Sequence, residues 1–180
     1  MRATLSLVIT NILIYIYFAF QAHSPLSIKQ FAPVMGLTLQ SLQHGDFLKL
    51  ISNLFFHFNF THLGYNMVFL LIFGSKCEDI FGGPKFLFIY FTTGIFASLS
   101  VFLYPAGSIL AGASGAIFGT LGSVLVAQRR IYPHGIGTSI LYGVIFFIMA
   151  VSTGFMSHIL GLIIGFIVGY ILTYHEEGNS

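Results

Sequence analysis

Six stretches of the chain are predominantly apolar, and most polar and charged residues lie between them. A helix needs about 20 apolar residues to cross the hydrocarbon core of a bilayer. The pattern therefore predicts an all-α membrane protein with six transmembrane helices in a single domain over residues 1–180. The predicted spans are residues 5–20, 60–73, 86–104, 114–127, 140–151 and 158–174.

The first apolar stretch follows Arg2 and has the length of either a secretory signal or a retained helix. No small-x-small cleavage site follows it and the rest of the chain is membranous, so we expect it to be retained. Residues 21–50 mix large apolar residues with scattered polar ones. This pattern is typical of a segment in the membrane interface, and it predicts a long, half-embedded first loop.

Composition supports a lipid environment. The chain is 56% hydrophobic and only 7% charged, whereas a soluble domain carries about 25% charged residues. The net charge of +2 gives no indication of a nucleic-acid partner. Cys77 is the single cysteine, so an internal disulfide is excluded.

Lysine and arginine positions predict the orientation, because both are enriched in cytoplasmic loops. An even number of spans places both termini on one side. Five of the seven basic residues then share the side of the termini, which is predicted to be cytoplasmic. These are Arg2, Lys76, Lys85, Arg129 and Arg130, whereas Lys29 and Lys49 lie opposite.

Several reaction classes are excluded by what the predicted spans lack. No carboxylate lies within a span, which excludes an intramembrane aspartyl protease and disfavours a proton-coupled carrier. No H-E-x-x-H motif occurs, which argues against a zinc metalloprotease. His57 and His62 are five residues apart, so they would not share a helix face as zinc ligands. The spans therefore give no indication of a zinc site.

Three polar groups on three predicted helices lie at similar depths. Ser114 precedes Arg129 by 15 residues, a helical rise of roughly 22 Å. By the same measure His158 and His62 lie roughly 26 Å and 21 Å from the cytoplasmic ends of their helices. The hydrocarbon core is about 30 Å thick, so all three are predicted in its outer half.

Small residues on the fourth and sixth predicted spans indicate how these helices approach each other. Close packing there would bring Ser114 toward His158. Each feature is ordinary by itself, since small-residue stripes often serve only packing and a lone serine often bonds its own helix. The two stripes are Gly115, Gly119 and Gly122 on the fourth span and Gly161, Gly165 and Gly169 on the sixth.

These residue types are suited to acyl transfer. A serine hydroxyl needs an adjacent base to become a nucleophile, and an imidazole such as His158 can accept the proton. No aspartate is available to orient it, so the pair would be a dyad. The free N–H groups at the start of the Ser114 helix, with His62 and Asn66 on one helix face, can stabilise an oxyanion.

The sequence resembles the rhomboid family of intramembrane serine proteases, in its short bacterial six-helix (GlpG-like) form. The match covers essentially the whole chain and implies a minimal rhomboid-like core without an amino-terminal domain. The matching residues are His62 and Asn66, Gly112-x-Ser114-Gly115, and His158-x-x-Gly161-x-x-x-Gly165.

The resemblance implies a role for each matching residue. Ser114 would be the nucleophile and His158 the general base. Oxyanion stabilisation and substrate binding would fall to His62, Asn66, Gly112 and Ala113. It also implies transmembrane protein substrates cut near their extracytoplasmic boundary, no metal or cofactor, no nucleic acid, and location in the bacterial inner membrane.

Two departures from the family pattern stand out. Phe118 occupies a position that is often tyrosine, so it can pack beneath the His158 ring but cannot donate a hydroxyl hydrogen bond. The Trp-Arg pair often found in the first loop is missing, because the chain has no Trp.

A buried serine also needs access for substrate and water. Residues 152–157 carry no charge and include Phe155 and Met156 next to Gly154. We predict that Phe155 and Met156 form a lid, and that the outer part of the fifth span, with Phe146 and Phe147, opens a lateral path. The alternative is that Phe155 and Met156 only anchor the chain at the interface.

Two other functions stay open at this level. A catalytically inactive rhomboid-like protein would act in membrane binding or remodelling, but such relatives generally lose the serine or the histidine. A small channel or carrier would place polar residues along a path through both leaflets, whereas the cytoplasmic half of the predicted spans is almost purely apolar.

Overall fold

A computed structural model of the protein describes residues 1–22, 25–130, 135–150 and 154–177. Over these ranges six long helices form a bundle, and the only β-structure is an isolated antiparallel bridge between Leu37 and Leu110. The helices are α1 (Arg2–Gln21), α2 (Phe60–Phe69, a π-helical turn Leu70–Gly74, then Ser75–Phe81), α3 (Gly83–Ser98, then a 3-10 turn Leu99–Leu103), α4 (Ser114–Arg130), α5 (Ile136–Ala150) and α6 (Phe155–Glu177).

The predicted all-α class is confirmed, and each predicted span coincides with a helix. Helix α1, helix α3 with its 3-10 turn, and helix α6 up to Tyr174 are long and apolar enough to cross a membrane, and α5 is a shorter apolar helix. Helix α2 continues past the predicted end at residue 73, because the π-helical turn carries it on to Phe81. Val151, at the predicted end of the fifth span, lies outside the described residues.

Helix α4 lies between α3 and α6, and most of its side chains are buried. Glycines make this position possible. A side-chain carbon at Gly161 would clash with the carbonyl oxygen of Gly115, and one at Gly165 with that of Gly119. The backbones of α4 and α6 are therefore in direct contact, as small residues allow within membranes.

The first loop is made of short helical segments. Its large apolar side chains Val34, Phe47 and Leu48 are 63%, 65% and 80% exposed, so the loop presents an apolar surface outside the bundle core. That exposure agrees with the predicted half-embedded position. The segments are Pro25–Phe31 and Asn53–Phe55, both 3-10, and the α-helical turns Ala32–Met35, Leu39–Gln43 and Lys49–Ser52.

Backbone hydrogen bonds join the first loop to the segment that precedes α4. The amide of Leu37 donates to the Leu110 carbonyl at 2.9 Å, and the Leu110 amide donates back at 2.8 Å. The Gly112 amide donates to the Asn53 carbonyl at 2.8 Å. The side chain of Asn53 bonds the Ser98 hydroxyl of α3. These bonds anchor the loop in a chain that has no Trp-Arg pair.

Glu78 joins the ends of α1 and α2 on the side of the bundle opposite Ser114. Its carboxylate accepts hydrogen bonds from the amides of Ala3 and Thr4 and from the Thr4 hydroxyl, and it lies 2.9 Å from the Met1 ammonium. Burial by itself raises the pKa of Glu78, but these donors outweigh burial and lower the pKa from 4.5 to about 2.

Glu78→Gln is expected to lower the thermal unfolding midpoint, since it replaces a buried charged acceptor. The expected loss in the free energy of unfolding is about 2 kcal/mol. Folding lowers the pKa of this carboxyl, so its stabilising contribution is complete above about pH 4.5 and is lost as the pH falls toward 2. The midpoint difference between wild type and Glu78→Gln, measured in detergent, should therefore narrow over that interval.

The neighbouring exposed carboxylate provides a control, and Asp79→Asn should leave the midpoint at pH 7 nearly unchanged. A Glu78→Gln protein as stable as wild type at pH 7 would contradict the assigned role of Glu78.

Candidate active site

Ser114 and His158 meet at the starts of α4 and α6. The Nε2 atom of His158 lies 2.9 Å from the Ser114 Oγ, and the two residues are 1% and 5% exposed. The Nδ1 atom of His158 has no hydrogen-bond partner among the described residues. The pair therefore has the geometry of a dyad without a third orienting residue.

Aromatic rings support the imidazole from below. The ring of Phe118, one turn along α4 from Ser114, lies 4.8 Å from the His158 ring at 31°. On its other side Phe118 stacks on Phe146 of α5 at 4.6 Å, and Phe146 stacks on Phe69 of α2 at 4.4 Å. Phe146 is fully buried. A continuous stack of rings thus connects the imidazole to α5 and α2.

His62 lies beside the backbone that leads into Ser114. Gly112 has φ +118°, and a side-chain carbon there would lie 2.7 Å from the His62 Nε2 atom. Neither ring nitrogen of His62 has a hydrogen-bond partner among the described residues. This imidazole therefore has a free N–H to offer to a bound group next to Ser114.

Asn66 is fully buried one turn further along α2. Its amide nitrogen donates to the His62 carbonyl at 2.7 Å, and its Oδ1 atom has no partner in the described part of the chain. The side chain of Asn59 caps the helix start by accepting from the His62 amide at 2.8 Å. These bonds fix the turn that carries His62.

His57 also lies at this site. From the sequence it is a candidate only for metal binding, and its spacing from His62 argues against that role. It precedes α2, and its ring lies 5.0 Å from the His62 ring. The Ala113 amide, predicted near the oxyanion, faces the His57 Nε2 atom at 3.5 Å. In the described parts of the chain, no three side chains of metal-ligating types lie together.

The predicted lid residues belong to a helix. Phe155 and Met156 form the first turn of α6 and are 39% and 41% exposed. The Phe155 ring lies 5.8 Å from that of Phe147 on α5. Ser152 and Thr153, which precede Gly154 in the same uncharged segment, lie outside the described residues.

Two cavities lie in this region, one beside His62 and one beside Ser114. An open cleft of about 610 Å³ extends from His62 to Met149 near the end of α5, with Lys29 at its rim. A second cavity, of about 20 Å³, is lined by Asn53, Ser98, Ser114 and Ser157 among others. A cavity of that volume with several polar groups has room for one water molecule.

Comparison with known sequences identifies related proteins. The family model described as Rhomboid domain matches residues 44–175, well over half of the chain. The rhomboid protease GlpG of Haemophilus influenzae is 28% identical over 171 residues, which cover 90% of this chain and 87% of that protein.

Two proteins of Bacillus subtilis are also similar. The putative rhomboid protease YdcA is 27% identical over 159 residues, covering 83% of this chain and 77% of YdcA. The rhomboid protease GluP is 35% identical over 106 residues, covering 56% of this chain. This alignment spans only 20% of the length of GluP.

His62→Ala and Asn66→Ala are expected to lower kcat for peptide-bond cleavage with little change in KM. A group that stabilises only the transition state acts on kcat, and removing one oxyanion donor lowers kcat by a factor of about 10²–10³. We expect the larger loss for His62→Ala, since its ring nitrogens are unpaired whereas Asn66 bonds the His62 carbonyl.

Steady-state kinetics on one transmembrane substrate, with unfolding midpoints measured in parallel, separate the possible roles. Variants with a lower unfolding midpoint but the wild-type kcat would show that the two residues only stabilise the position of α2.

Proposed function

The chain belongs to the rhomboid family, and from this membership we propose that it is an intramembrane serine endopeptidase. In this proposal it cleaves transmembrane segments of other membrane proteins near their extracytoplasmic side, with Ser114 as nucleophile and His158 as general base. The observation that carries the proposal is the 2.9 Å contact between the His158 Nε2 atom and the Ser114 Oγ.

The first chemical step forms an acyl-enzyme. His158 takes the hydroxyl proton as the Ser114 Oγ attacks the scissile carbonyl carbon. It then returns that proton to the leaving amine as the peptide C–N bond breaks. Among the described residues the Nδ1 atom of His158 has no hydrogen-bond partner, and in this proposal packing on Phe118 keeps the ring in place.

Negative charge on the carbonyl oxygen needs donors in a site from which water is largely excluded. The His62 ring beside Gly112 supplies an unpaired N–H, and the start of α4 supplies the positive end of its dipole. We place the oxyanion between these groups, with Asn66 supporting His62. The amide of Ala113 becomes available to substrate only by leaving His57.

Hydrolysis of the acyl-enzyme needs one water molecule. The cavity of about 20 Å³ between Ser98, Ser114 and Ser157 supplies space for it next to the nucleophile. His158 removes a proton from that water as the water oxygen attacks the acyl carbon, and it passes the proton to the Ser114 Oγ as the ester C–O bond breaks and the carboxylic acid product forms.

Substrate enters, in this proposal, between α2 and α5. The open cleft reaches His62 from Met149, and a second groove of about 410 Å³ continues along Gly64, Val68 and Phe69 of α2. Phe146 closes the deeper part of this path by stacking between Phe69 and Phe118. Phe155 and Met156 cover the dyad from the outer side.

The chain is an integral membrane protein, and we propose an orientation for it. Both termini face the cytoplasm of a bacterial inner membrane, because five basic residues lie on their side and two lie on the other. The dyad then lies near the extracytoplasmic surface.

Ser114→Ala and His158→Ala are each expected to abolish cleavage of a transmembrane substrate and labelling by a fluorophosphonate probe. Both groups act in one step, so the double variant should be no worse than either single variant. Gel-based cleavage and probe labelling of purified protein provide the measurement, and unfolding midpoints verify folding. Unlabelled, inactive wild-type protein that is folded would instead indicate an inactive family member.

Linking α5 to α2 is expected to slow cleavage reversibly. Thr61→Cys and Met149→Cys place thiols on the two sides of the cleft, and the native Cys77 is buried away from reagents. A reducible thiol cross-linker should lower the cleavage rate of a transmembrane substrate more than it lowers the rate of fluorophosphonate labelling. The small probe does not need the lateral path.

Replacing Phe155 and Met156 by alanine should maintain or raise the cleavage rate of a transmembrane substrate, since loosening a lid affects turnover.

For the cross-linking experiment, the control is each single cysteine variant treated with the same reagent. Equal cleavage rates before and after cross-linking would rule out entry past α5.

A further inference from the structure

Two hydrogen bonds join the first turn of α6 to the end of α3, and neither includes a dyad residue. The hydroxyls of Ser100 and Ser157 share a hydrogen bond at 2.6 Å. The Met156 amide donates to the Tyr104 hydroxyl oxygen at 3.0 Å. Both partners on α6 directly precede His158 in the sequence.

The Tyr104 hydroxyl meets a need created by the helix start. The first amides of a helix have no intrahelical acceptor, and the Met156 amide belongs to the first turn of α6. Tyr104 supplies that acceptor from the 3-10 end of α3. Ser100 is fully buried, so its hydroxyl also needs a partner, and Ser157 provides one.

Beside the dyad, the packing of α6 on α4 does not by itself fix the height of His158, and the Ser123 hydroxyl bond to the Gly165 carbonyl lies two turns deeper. Beside the dyad this contact is made by the backbone atoms of Gly115 and Gly161. Such a contact has no interlocking side chains, so it limits the separation of the helices better than it limits sliding. Bonds to a third helix restrain that sliding.

We propose that Tyr104 and Ser100 are positioning residues for the general base. They hold the first turn of α6 on α3, and in this way they keep the His158 imidazole within hydrogen-bond distance of Ser114. This inference rests on the proposed protease function, and it assigns to α3 a part in the reaction. A misplacement of about 1 Å in a catalytic group can cost about 10²-fold in rate.

The experiment compares variants that remove single hydroxyls. Tyr104→Phe, Ser100→Ala and the double variant are purified in detergent and assayed for kcat, KM and the rate of fluorophosphonate labelling. We expect kcat and the labelling rate to fall about tenfold in each single variant, and further in the double, with KM unchanged. The probe labels Ser114 without needing lateral entry, so slower labelling reports on the dyad itself.

Matched controls separate positioning from general stability. Ser123→Ala removes a buried hydroxyl that donates to the Gly165 carbonyl at 2.8 Å, between the same two helices but two turns deeper than the dyad. It should lower the unfolding midpoint and leave the labelling rate near that of wild type. Tyr17→Phe, at an exposed position on α1, controls for the loss of a phenol.

The serine pair provides an internal test. Ser157→Ala removes the other half of the same bond, so it should match Ser100→Ala, and combining the two should be no worse than either single variant. Ser157 is only half-buried, so this variant carries the test if the buried Ser100→Ala does not fold.

The outcomes distinguish the two proposals. Wild-type protein that is folded but neither labels nor cleaves would overturn the protease function and this inference with it. Labelled, active wild type, together with Tyr104→Phe and Ser157→Ala variants that lose only thermal stability, as Ser123→Ala does, would overturn the positioning role alone.

Discussion

The direct backbone contact between α4 and α6 is the constraint on which the rest of the structure depends. Within a lipid environment, burial of apolar surface does not favour one helix neighbour over another, so close packing determines which helices meet. Gly115, Gly119, Gly161 and Gly165 remove the side chains that would keep the two axes apart. The Oγ atom of Ser114 and the Nε2 atom of His158, at the starts of the two helices, then lie 2.9 Å apart.

Such a close contact brings polar groups into an apolar interior, where unpaired atoms are costly. In the described part of the chain, the Nδ1 atom of His158, both ring nitrogens of His62 and the Oδ1 atom of Asn66 are buried without partners. Elsewhere in the bundle, buried hydroxyls such as those of Thr93, Thr120 and Ser123 are hydrogen-bonded. The Asn11 Oδ1 and the Ser75 Oγ are also buried without partners away from the dyad, so the feature that distinguishes the surroundings of Ser114 is the unpaired imidazole of His62, which can donate to a bound carbonyl oxygen.

The elements around the dyad differ in how firmly they are held. The segment before Ser114 is joined to the first loop by backbone bonds at Leu37 and Asn53, and α6 is joined to α3 by Ser100 and Tyr104. Helix α5 contributes Phe146 to a stack of rings, while many of its other side chains are exposed. Apolar stacking is less directional than hydrogen bonding, so α5 is restrained less specifically than the segments that carry Ser114 and His158.

The sequence alone predicted the six helices and the pair Ser114 and His158, which the fold brings to 2.9 Å. Apolar length defines a span in lipid, and among the polar residues within such spans Ser114, His158, His62 and Asn66 fit together as one acyl-transfer site. Helical rise placed them at similar depths, because a straight helix converts sequence separation into distance.

The tertiary structure decided what happens outside straight helices. The His57 contact with Ala113, the Leu37–Leu110 bridge and the ties from Ser100 and Tyr104 join segments 52 or more residues apart. The sequence pattern carries no signal for them, since loops have no fixed rise per residue and a hydroxyl bond leaves no periodicity. The sequence therefore predicted which polar side chains come together, and the fold decided which neighbours they contact.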